Sequence, residues 1–600
     1  MFNMTTFLPS TLTVLAIATV CASPVFAEAR GVELLRDADI NSNTPDVSPI
    51  RRIDRELPRL DSTEAPPAEG FRTFNGSLNN LAAPLQGAAG EPLLRIAAID
   101  YADGIAALAG PHRAGAREVS NALSESVSDR PNAKNASDFL WQWGQFLDHD
   151  IDLTDGADPV DLADIAIPSG DVWFDPDNNG DQILAFNRSL SDPESGTGID
   201  NPRQQSNEIS AWIDASNVYG SDAERARALR ALDGSGMLKV SAGELLPFNV
   251  AGFANAGGDS DTLFFAGDVR ANEQVGLTAM HTLFVREHNR LAEIISNNNP
   301  GLNGDQVYLQ ARRLVGAELQ IITYQEYLPL LLGRDAMPLY TGYKPMVNGS
   351  IANLFSTALY RYGHSALSPQ LLRLDALGNE DQYGHLPLRN AFFAPYRISD
   401  EGGIEPILRG LSSQVCQTVD LQIIDEVRNF LFGDPGAGGF DLAALNIQRG
   451  RDHGLPSYNR ARVALGLAAA ETFADISANP DTVQGLARIY ASVDDVDVWI
   501  GGLAEDHRAG AMVGELIYTA VLRQFIRLRD GDRFWYQHSL NGEEMRMLGR
   551  VRLSDIIRRN TMIGDEIPDD VFRVSTGNLD VKPLADNPPL RRPRPLQPRP

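Results

Sequence analysis

Gln145, Asp148 and His149 stand at i, i+3 and i+4 within Trp143-Gly144-Gln145-Phe146-Leu147-Asp148-His149-Asp150, so on a helix they share one stripe. An amide, a carboxylate and an imidazole on one line can hold and move protons, the work of general acid–base catalysis. Trp143, Phe146 and Leu147 pack elsewhere on that helix. A polar stripe among them requires water or a cavity with something polar in it. A solvated helix end is the competing reading. Asp150 lies one step round from His149 and points toward a different place.

Four further segments carry chemistry. In Asp268-Val269-Arg270-Ala271-Asn272-Glu273, Arg270 and Glu273 read either as a surface ion pair or as a fixed positive charge aimed into a cavity. Leu359-Tyr360-Arg361-Tyr362-Gly363-His364 offers one imidazole after a glycine, either a structural histidine or an axial iron ligand. Leu445–Gly454 holds Asn446, Arg449, Arg451 and Asp452, groups that orient another residue or bind a carboxylate. If Ser210-Ala211-Trp212-Ile213-Asp214-Ala215-Ser216 is extended, positions 210, 212, 214 and 216 face one side. Their hydroxyl, carbonyl and carboxylate oxygens then suit a hard cation such as calcium, against the reading of a polar strand edge. Asp175–Asp181 starts like a calcium loop but has Phe186 at the twelfth position, which favours a turn. His281 and His288 lie seven apart, unlike the four-residue spacing of a zinc-binding helix.

The elements that must position these groups are mainly helical. Phe139, Leu140, Trp143, Phe146 and Leu147 recur at helical spacing with Ser137 available as a cap. Leu277, Met280, Phe284, Leu291 and Ile295 extend the pattern over a longer segment. Further helical runs are expected at 306–332, 351–364, 441–449 and 509–529, and strand-like alternation is scarce.

Composition narrows the function. Of 600 residues, 43% are hydrophobic and 22% charged, the balance of a folded protein. A net charge of −27 argues against binding nucleic acid or docking on an anionic membrane. The apolar run Leu12–Ala22, followed by Val25 and Ala27 before Glu28, reads as a secretory signal over 1–27, so the protein is expected to be secreted or periplasmic. No other stretch is long and apolar enough to span a membrane. Of the two cysteines, Cys21 would leave with the signal, and Cys416 reads as a buried thiol. Residues 28–70 read as an extended polar lead-in, and 576–600 as a solvated Pro/Arg-rich tail.

Taken together, the five chemical segments resemble the animal haem peroxidase family of the peroxidase–cyclooxygenase superfamily. Trp143–Asp150, Met280–Ala292 and Leu445–Pro456 are near-verbatim family segments, and the similarity runs from about Phe71 to Arg573. The resemblance implies one large, mainly α haem-peroxidase domain over 71–575 with few short strands. It implies reduction of hydrogen peroxide with oxidation of halide, thiocyanate or small organic donors. By position, His149, Arg270 and Gln145 resemble the catalytic histidine, arginine and glutamine of the family. His364 resembles the iron ligand, with Asn446 accepting its second ring N–H. Asp148 and Glu273 match carboxylates that form ester bonds to haem, and Arg361 and Arg449 match positions near its propionates. Asp150, Ser210, the Trp212 carbonyl, Asp214 and Ser216 match calcium ligands. The implied cofactors are haem b or an ester-linked derivative, and Ca2+.

The chain also departs from the family. Gln274 stands where a chloride-oxidising relative has Met, so no haem sulfonium bond is expected, and Leu78 stands where relatives commonly have Cys. Cysteine loss together with an export signal resembles a bacterial member. Two rival readings follow from the same resemblance. A fatty-acid dioxygenase of the superfamily uses a tyrosine three residues before the iron ligand, where this chain has Arg361 between Tyr360 and Tyr362. A haem-free adhesion protein on the same scaffold would carry an Arg-Gly-Asp or Lys-Gly-Asp motif, which Arg449-Gly450-Arg451-Asp452 interrupts.

Overall fold

Apolar residues at helical spacing close the core around the segment that carries His149. A computed structural model describes residues 70–126 and 128–575. The expected signal, Cys21, most of the polar lead-in and the tail lie outside the described residues. The helix Phe139–Ile151 buries Phe139, Leu140, Trp143, Phe146 and Leu147. The N-cap position is Asp138, which makes no side-chain cap bond; the expected Ser137 lies one residue earlier, where its Oγ accepts from Phe139 N at 3.3 Å. Trp143 and Phe146 pack against Phe284 of the long helix Val275–Asn298, with ring centroids 5.9 and 5.2 Å apart. Truncating an aromatic in such a cluster costs about 3–5 kcal/mol, because the cavity left behind collapses only in part.

The long helix starts where Gln274, in extended conformation, caps it by accepting from Gly276 N at 2.6 Å. Its neighbour Gly304–Ile322 starts on a capping box between Asn303 and Gln306. The expected helix 306–332 then widens into a π turn over Thr323–Tyr327 before resuming at Leu328–Leu332, where Pro329 offers no N–H. The 441–449 run is the helix Leu442–Asp452, capped by Asp441, which accepts from Ala443 N and Ala444 N. The 509–529 run begins later than expected, at Glu515, after a loop in which Gly510 takes φ +81°. Among the described residues the only multi-residue strands are two two-residue antiparallel pairs, Ile165–Ala166 with Ile183–Leu184 and Gln370–Leu371 with Leu386–Pro387. The mainly α expectation therefore holds. No helix among the described residues is long and apolar enough to cross a membrane. Cys416 is fully buried.

Two expected elements are built differently. The 351–364 run is not one α-helix but a π turn over Phe355–Leu359 followed by a 3₁₀ turn over Arg361–Ser365. In an α-helix Tyr360 and Tyr362 would point about 200° apart. The change of winding instead lets Tyr360, Tyr362 and His364 share one cavity wall. The segment 210–216 is not extended: it curls, Ala215 takes φ +64°, and Ser216 already opens the short helix Ser216–Tyr219. Its oxygens gather through a turn, not through strand alternation. Asp175 accepts from Gly170, Asn179 and Gly180 N–H groups, so that segment is the expected turn.

Candidate active site

A cavity opens beside the His149 helix. The helix contributes Trp141, Gly144, Gln145 and Asp148 to its wall, and the segment ahead of the long helix contributes Glu273 and Gln274. Tyr360, Tyr362, Gly363 and His364 line it from the π/3₁₀ segment. Leu388, Phe392, Leu431 and Leu442 are among its apolar walls. A mostly apolar pocket with an imidazole and two carboxylates on its surface suits a flat hydrophobic cofactor with a metal at its centre.

His149 does not line this cavity. It is fully buried behind Glu273, with Nε2 3.9 Å from Glu273 Oε2. Glu273 is held in the wall by Gln145 Nε2, which donates to Oε2 at 3.0 Å. Neither ring nitrogen of His149 makes a hydrogen bond. Burial first, then the Arg270 charge, lowers its pKa well below the usual histidine value, so the ring is neutral at physiological pH. A neutral, unengaged imidazole is the state a proton acceptor needs.

Arg270 is no surface ion pair; it is fully buried. Asp268 accepts from its Nε at 2.9 Å and its Nη2 at 2.8 Å, and the Asp152 carbonyl accepts from Nη2 at 2.7 Å. Its Nη1 makes no hydrogen bond and lies 3.7 Å from Asp148 Oδ2 on the cavity wall. Buried polar groups are normally paired, and a guanidinium nitrogen left free beside a cavity is a donor held for a ligand.

His364 is half-buried, and its Nδ1 lies 2.8 Å from Asn446 Nδ2. This pairing joins the two segments that the sequence put together, but with reversed polarity. Arg361 Nη1 donates to Asn446 Oδ1 at 2.9 Å, and a guanidinium cannot accept, so the amide NH2 is turned toward the imidazole. The expectation that Asn446 accepts the second ring N–H is corrected on this point. Neither Arg361 nor Arg449 lines the cavity. Arg449 Nη1 donates to the Asn187 carbonyl at 2.9 Å and to Ser189 Oγ at 3.0 Å, and its guanidinium stacks 4.1 Å above the Phe186 ring.

Four of the five expected cation ligands, Asp150, Ser210, Asp214 and Ser216, converge. Asp150 and Asp214 are buried together. Asp150 Oδ2 accepts from Asp214 N at 3.1 Å, and Ser216 Oγ donates to the Asp150 carbonyl at 2.7 Å and Oδ1 at 3.1 Å. Ser210 Oγ donates to Asp214 Oδ2 at 3.0 Å. Burial and the Asp214 charge push the Asp150 carboxyl well above the carboxylate range. Among the described residues no group of three or more His, Cys, Asp and Glu side chains is placed to hold a metal. This site instead offers two carboxylates with hydroxyl and carbonyl oxygens, the donor set of a hard cation.

Sequence reasoning missed several participants. Gln274, besides capping the long helix, donates from Nε2 to Gln142 Oε1 at 2.7 Å and Gln145 Oε1 at 3.0 Å. Tyr327 donates to the Tyr360 hydroxyl at 2.9 Å and also meets the Tyr362 hydroxyl. Gly144 makes room for that phenol: a Cβ there would stand 3.2 Å from Tyr327 Oη. Asp268 was seen only as a neighbour of Arg270. No local spacing signals these contacts, which join segments distant in sequence.

The sequence profile described as animal haem peroxidase matches residues 71–572. The human peroxidasin homolog is 37% identical over 86% of this chain, which spans 38% of that protein's length. Peroxidase A from Dictyostelium discoideum superposes with a TM-score of 0.77 at 34% identity, covering 84% of this chain and 99% of that one. A fatty acid alpha-dioxygenase from Arabidopsis thaliana shares the fold, with a TM-score of 0.72 at 20% identity over 87% of this chain and 85% of its own.

Proposed function

Because the chain belongs to the animal haem peroxidase family, we propose that it is a haem peroxidase that reduces hydrogen peroxide and oxidises halide, thiocyanate or small organic donors. The observation that carries this reading is one cavity walled by His364, Asp148 and Glu273 and backed by a neutral, unengaged His149 and the free Nη1 of Arg270. Haem bound there would supply the iron that takes up peroxide and the ring that stores oxidising equivalents. His364 would hold the iron, with Asn446 beside its second nitrogen. Asp148 and Glu273 would be the carboxylates available for ester links, while Arg361 and Arg449, bonded to Asn446 and to Asn187 and Ser189 away from the cavity lining, are not assigned to the propionates.

The protons are moved by the protein's own groups. His149 Nε2 accepts a proton from one peroxide oxygen and returns it to the other, and such transfer contributes about 10²–10⁴-fold to a rate. Arg270 Nη1 stabilises the negative charge that develops on the departing oxygen. Gln145, tied to Glu273 and Gln274, fixes the wall in front of His149. Calcium held by Asp150, Ser210, the Trp212 carbonyl, Asp214 and Ser216 would lock the end of the helix that carries His149. Residues 71–575 form the catalytic domain in this reading, and the apolar run before Glu28 directs export.

The dioxygenase alternative draws no support from the site, since Arg361 occupies the position where that chemistry places a tyrosine. The test is reconstitution of the full chain with hemin. We expect a Soret band and peroxide-dependent oxidation of a donor, both lost in His364→Ala. A wild-type chain that takes up no haem, or a His364→Ala variant with full activity, overturns the reading.

A further inference from the structure

Asp268 is fully enclosed between the two groups assigned to proton and charge transfer. Its Oδ1 accepts from Arg270 Nε at 2.9 Å and from the Arg270 backbone N–H at 2.8 Å, while Oδ2 accepts from Arg270 Nη2 at 2.8 Å. The same Oδ1 lies 3.5 Å from His149 Nδ1. Its position is fixed from behind: Asp268 N donates to the Asn217 carbonyl at 3.0 Å, and Asn217 Nδ2 donates to the Phe146 carbonyl of the His149 helix at 2.7 Å. Gly267 permits that approach, because a Cβ there would stand 2.5 Å from Tyr219 N and the Val218 carbonyl carbon. Asp268 thus hangs from the backbone just after the candidate cation loop and reaches both side chains at once.

We infer that Asp268 is the positioning residue that sets which nitrogen of His149 and which nitrogen of Arg270 is left to act. This rests on the peroxidase reading above. Arg270 has five N–H donors in a rigid fork. Asp268 and the Asp152 carbonyl take the Nε and Nη2 side, so only Nη1 remains, on the side of the cavity-lining Asp148. For His149, a carboxylate beside Nδ1 favours the tautomer protonated there, which leaves the Nε2 lone pair on the side of the cavity-lining Glu273. Glu273 competes for the Nε2 side, but at 3.9 Å and with its Oε2 already engaged by Gln145. Burial alone would raise the Asp268 pKa, yet Arg270 and then His149 hold it far below the usual carboxylate range, so the anion persists.

An amide of the same shape cannot perform both tasks at once. In Asp268→Asn the NH2 must face either Arg270, opposing a donor with a donor, or His149 Nδ1, which moves the ring proton to Nε2 and removes the base. The experiment compares holoprotein of wild type and Asp268→Asn, normalised to bound haem. It measures the second-order rate of cyanide association with the ferric protein, which like peroxide uptake needs a proton acceptor and a cationic donor, and separately the rate with peroxide. We expect both rates to fall on the order of 10²-fold or more. The Michaelis constant for a one-electron donor should stay at its wild-type value, which a general loosening of the fold would not spare. A variant within about twofold of wild type in cyanide rate per haem overturns the inference. So does a crystal structure of wild-type holoprotein in which Asp268 contacts neither Arg270 Nε nor His149 Nδ1, however the variant behaves. Wild-type protein without haem uptake overturns the peroxidase reading instead.

Discussion

The Arg361 guanidinium donates to Asn446 Oδ1 at 2.9 Å and so turns the Asn446 amide nitrogen toward His364 Nδ1. Turned this way, the amide presents a donor and no acceptor to His364, so the imidazole gains no negative character from it. A carboxylate can accept from Arg361 and from His364 Nδ1–H together. Asn446→Asp should therefore lower the Fe(III)/Fe(II) midpoint potential of the hemin-reconstituted protein, read by spectroelectrochemical titration. An unchanged or raised potential contradicts the placement of His364 on the iron.

Trp212 is packed with no slack against glycine backbone. A Cβ on Gly349 would stand 2.3 Å from two atoms of the indole six-membered ring, while indole Nε1 donates to the Gly76 carbonyl at 3.1 Å. Gly349→Ala must push the ring off that bond or shift the 349 backbone. Overpacking of this kind costs about 1–3 kcal/mol, which a urea unfolding midpoint will register. Because Trp212 belongs to the candidate cation loop, calcium affinity should fall in the same variant. Wild-type stability would show that the loop yields without cost.

His149 is held neutral by burial and by Arg270, which sets the acid limit of peroxide chemistry. The acting species is the unprotonated ring, and its pKa is lowered below 6.5, so activity persists as pH falls through 6.5. We expect kcat/KM for peroxide to be level from pH 8 down to at least about 6 in the wild type. A steep loss centred on 6.5 would place the base in an ordinary, solvated histidine elsewhere.

How much of this was readable beforehand depends on whether the signal was local. The Gln145–Asp148–His149 stripe and the Asn446 helix were legible because helical spacing fixes which side chains share a face. The curl at 210–216 was not, because it depends on Ala215 adopting a left-handed conformation that its side chain does not advertise. The π and 3₁₀ turns before His364 were equally hidden, since apolar periodicity cannot separate one winding from another over so few residues. Asp268 was overlooked for a different reason. The spacing paired Arg270 with Glu273 three residues on, and only the buried hydrogen bonds reveal Asp268 as its clamp.

Glu326, in the π turn Thr323–Tyr327, accepts from Leu553 N at 2.8 Å, and burial raises its pKa to about 8. The folded protein therefore keeps a proton that the unfolded chain releases near 4.5. Folding stability tied to this group is present below that lower value and is lost as pH rises toward 8. Glu326→Gln keeps the acceptor for Leu553 and removes the titration. Its stability relative to wild type should rise between pH 5 and 8 by on the order of 1–3 kcal/mol, measured as paired denaturant midpoints. A difference that stays constant with pH would show that Glu326 is ionised in the fold.

Calcium uptake should release protons. Asp150 and Asp214 are buried side by side, and both carboxyls are raised, Asp150 well above its usual value, by burial first and for Asp150 then by the Asp214 charge. A hard cation binds the ionised form, so protons compete with it, and affinity must tighten as pH increases. Calorimetric titration with CaCl2 at pH 6 and 8, in two buffers of different ionisation enthalpy, counts the protons directly. We expect tighter binding at pH 8 and net release at pH 6. Asp214→Asn, which leaves one carboxylate and removes the repulsion, should weaken binding and flatten its pH dependence. Because Ser216 Oγ bonds the Asp150 carbonyl at the end of the His149 helix, chelation should also lower the melting temperature and slow peroxide turnover together. Turnover that survives chelation while the melting temperature falls would uncouple the cation from the catalytic histidine.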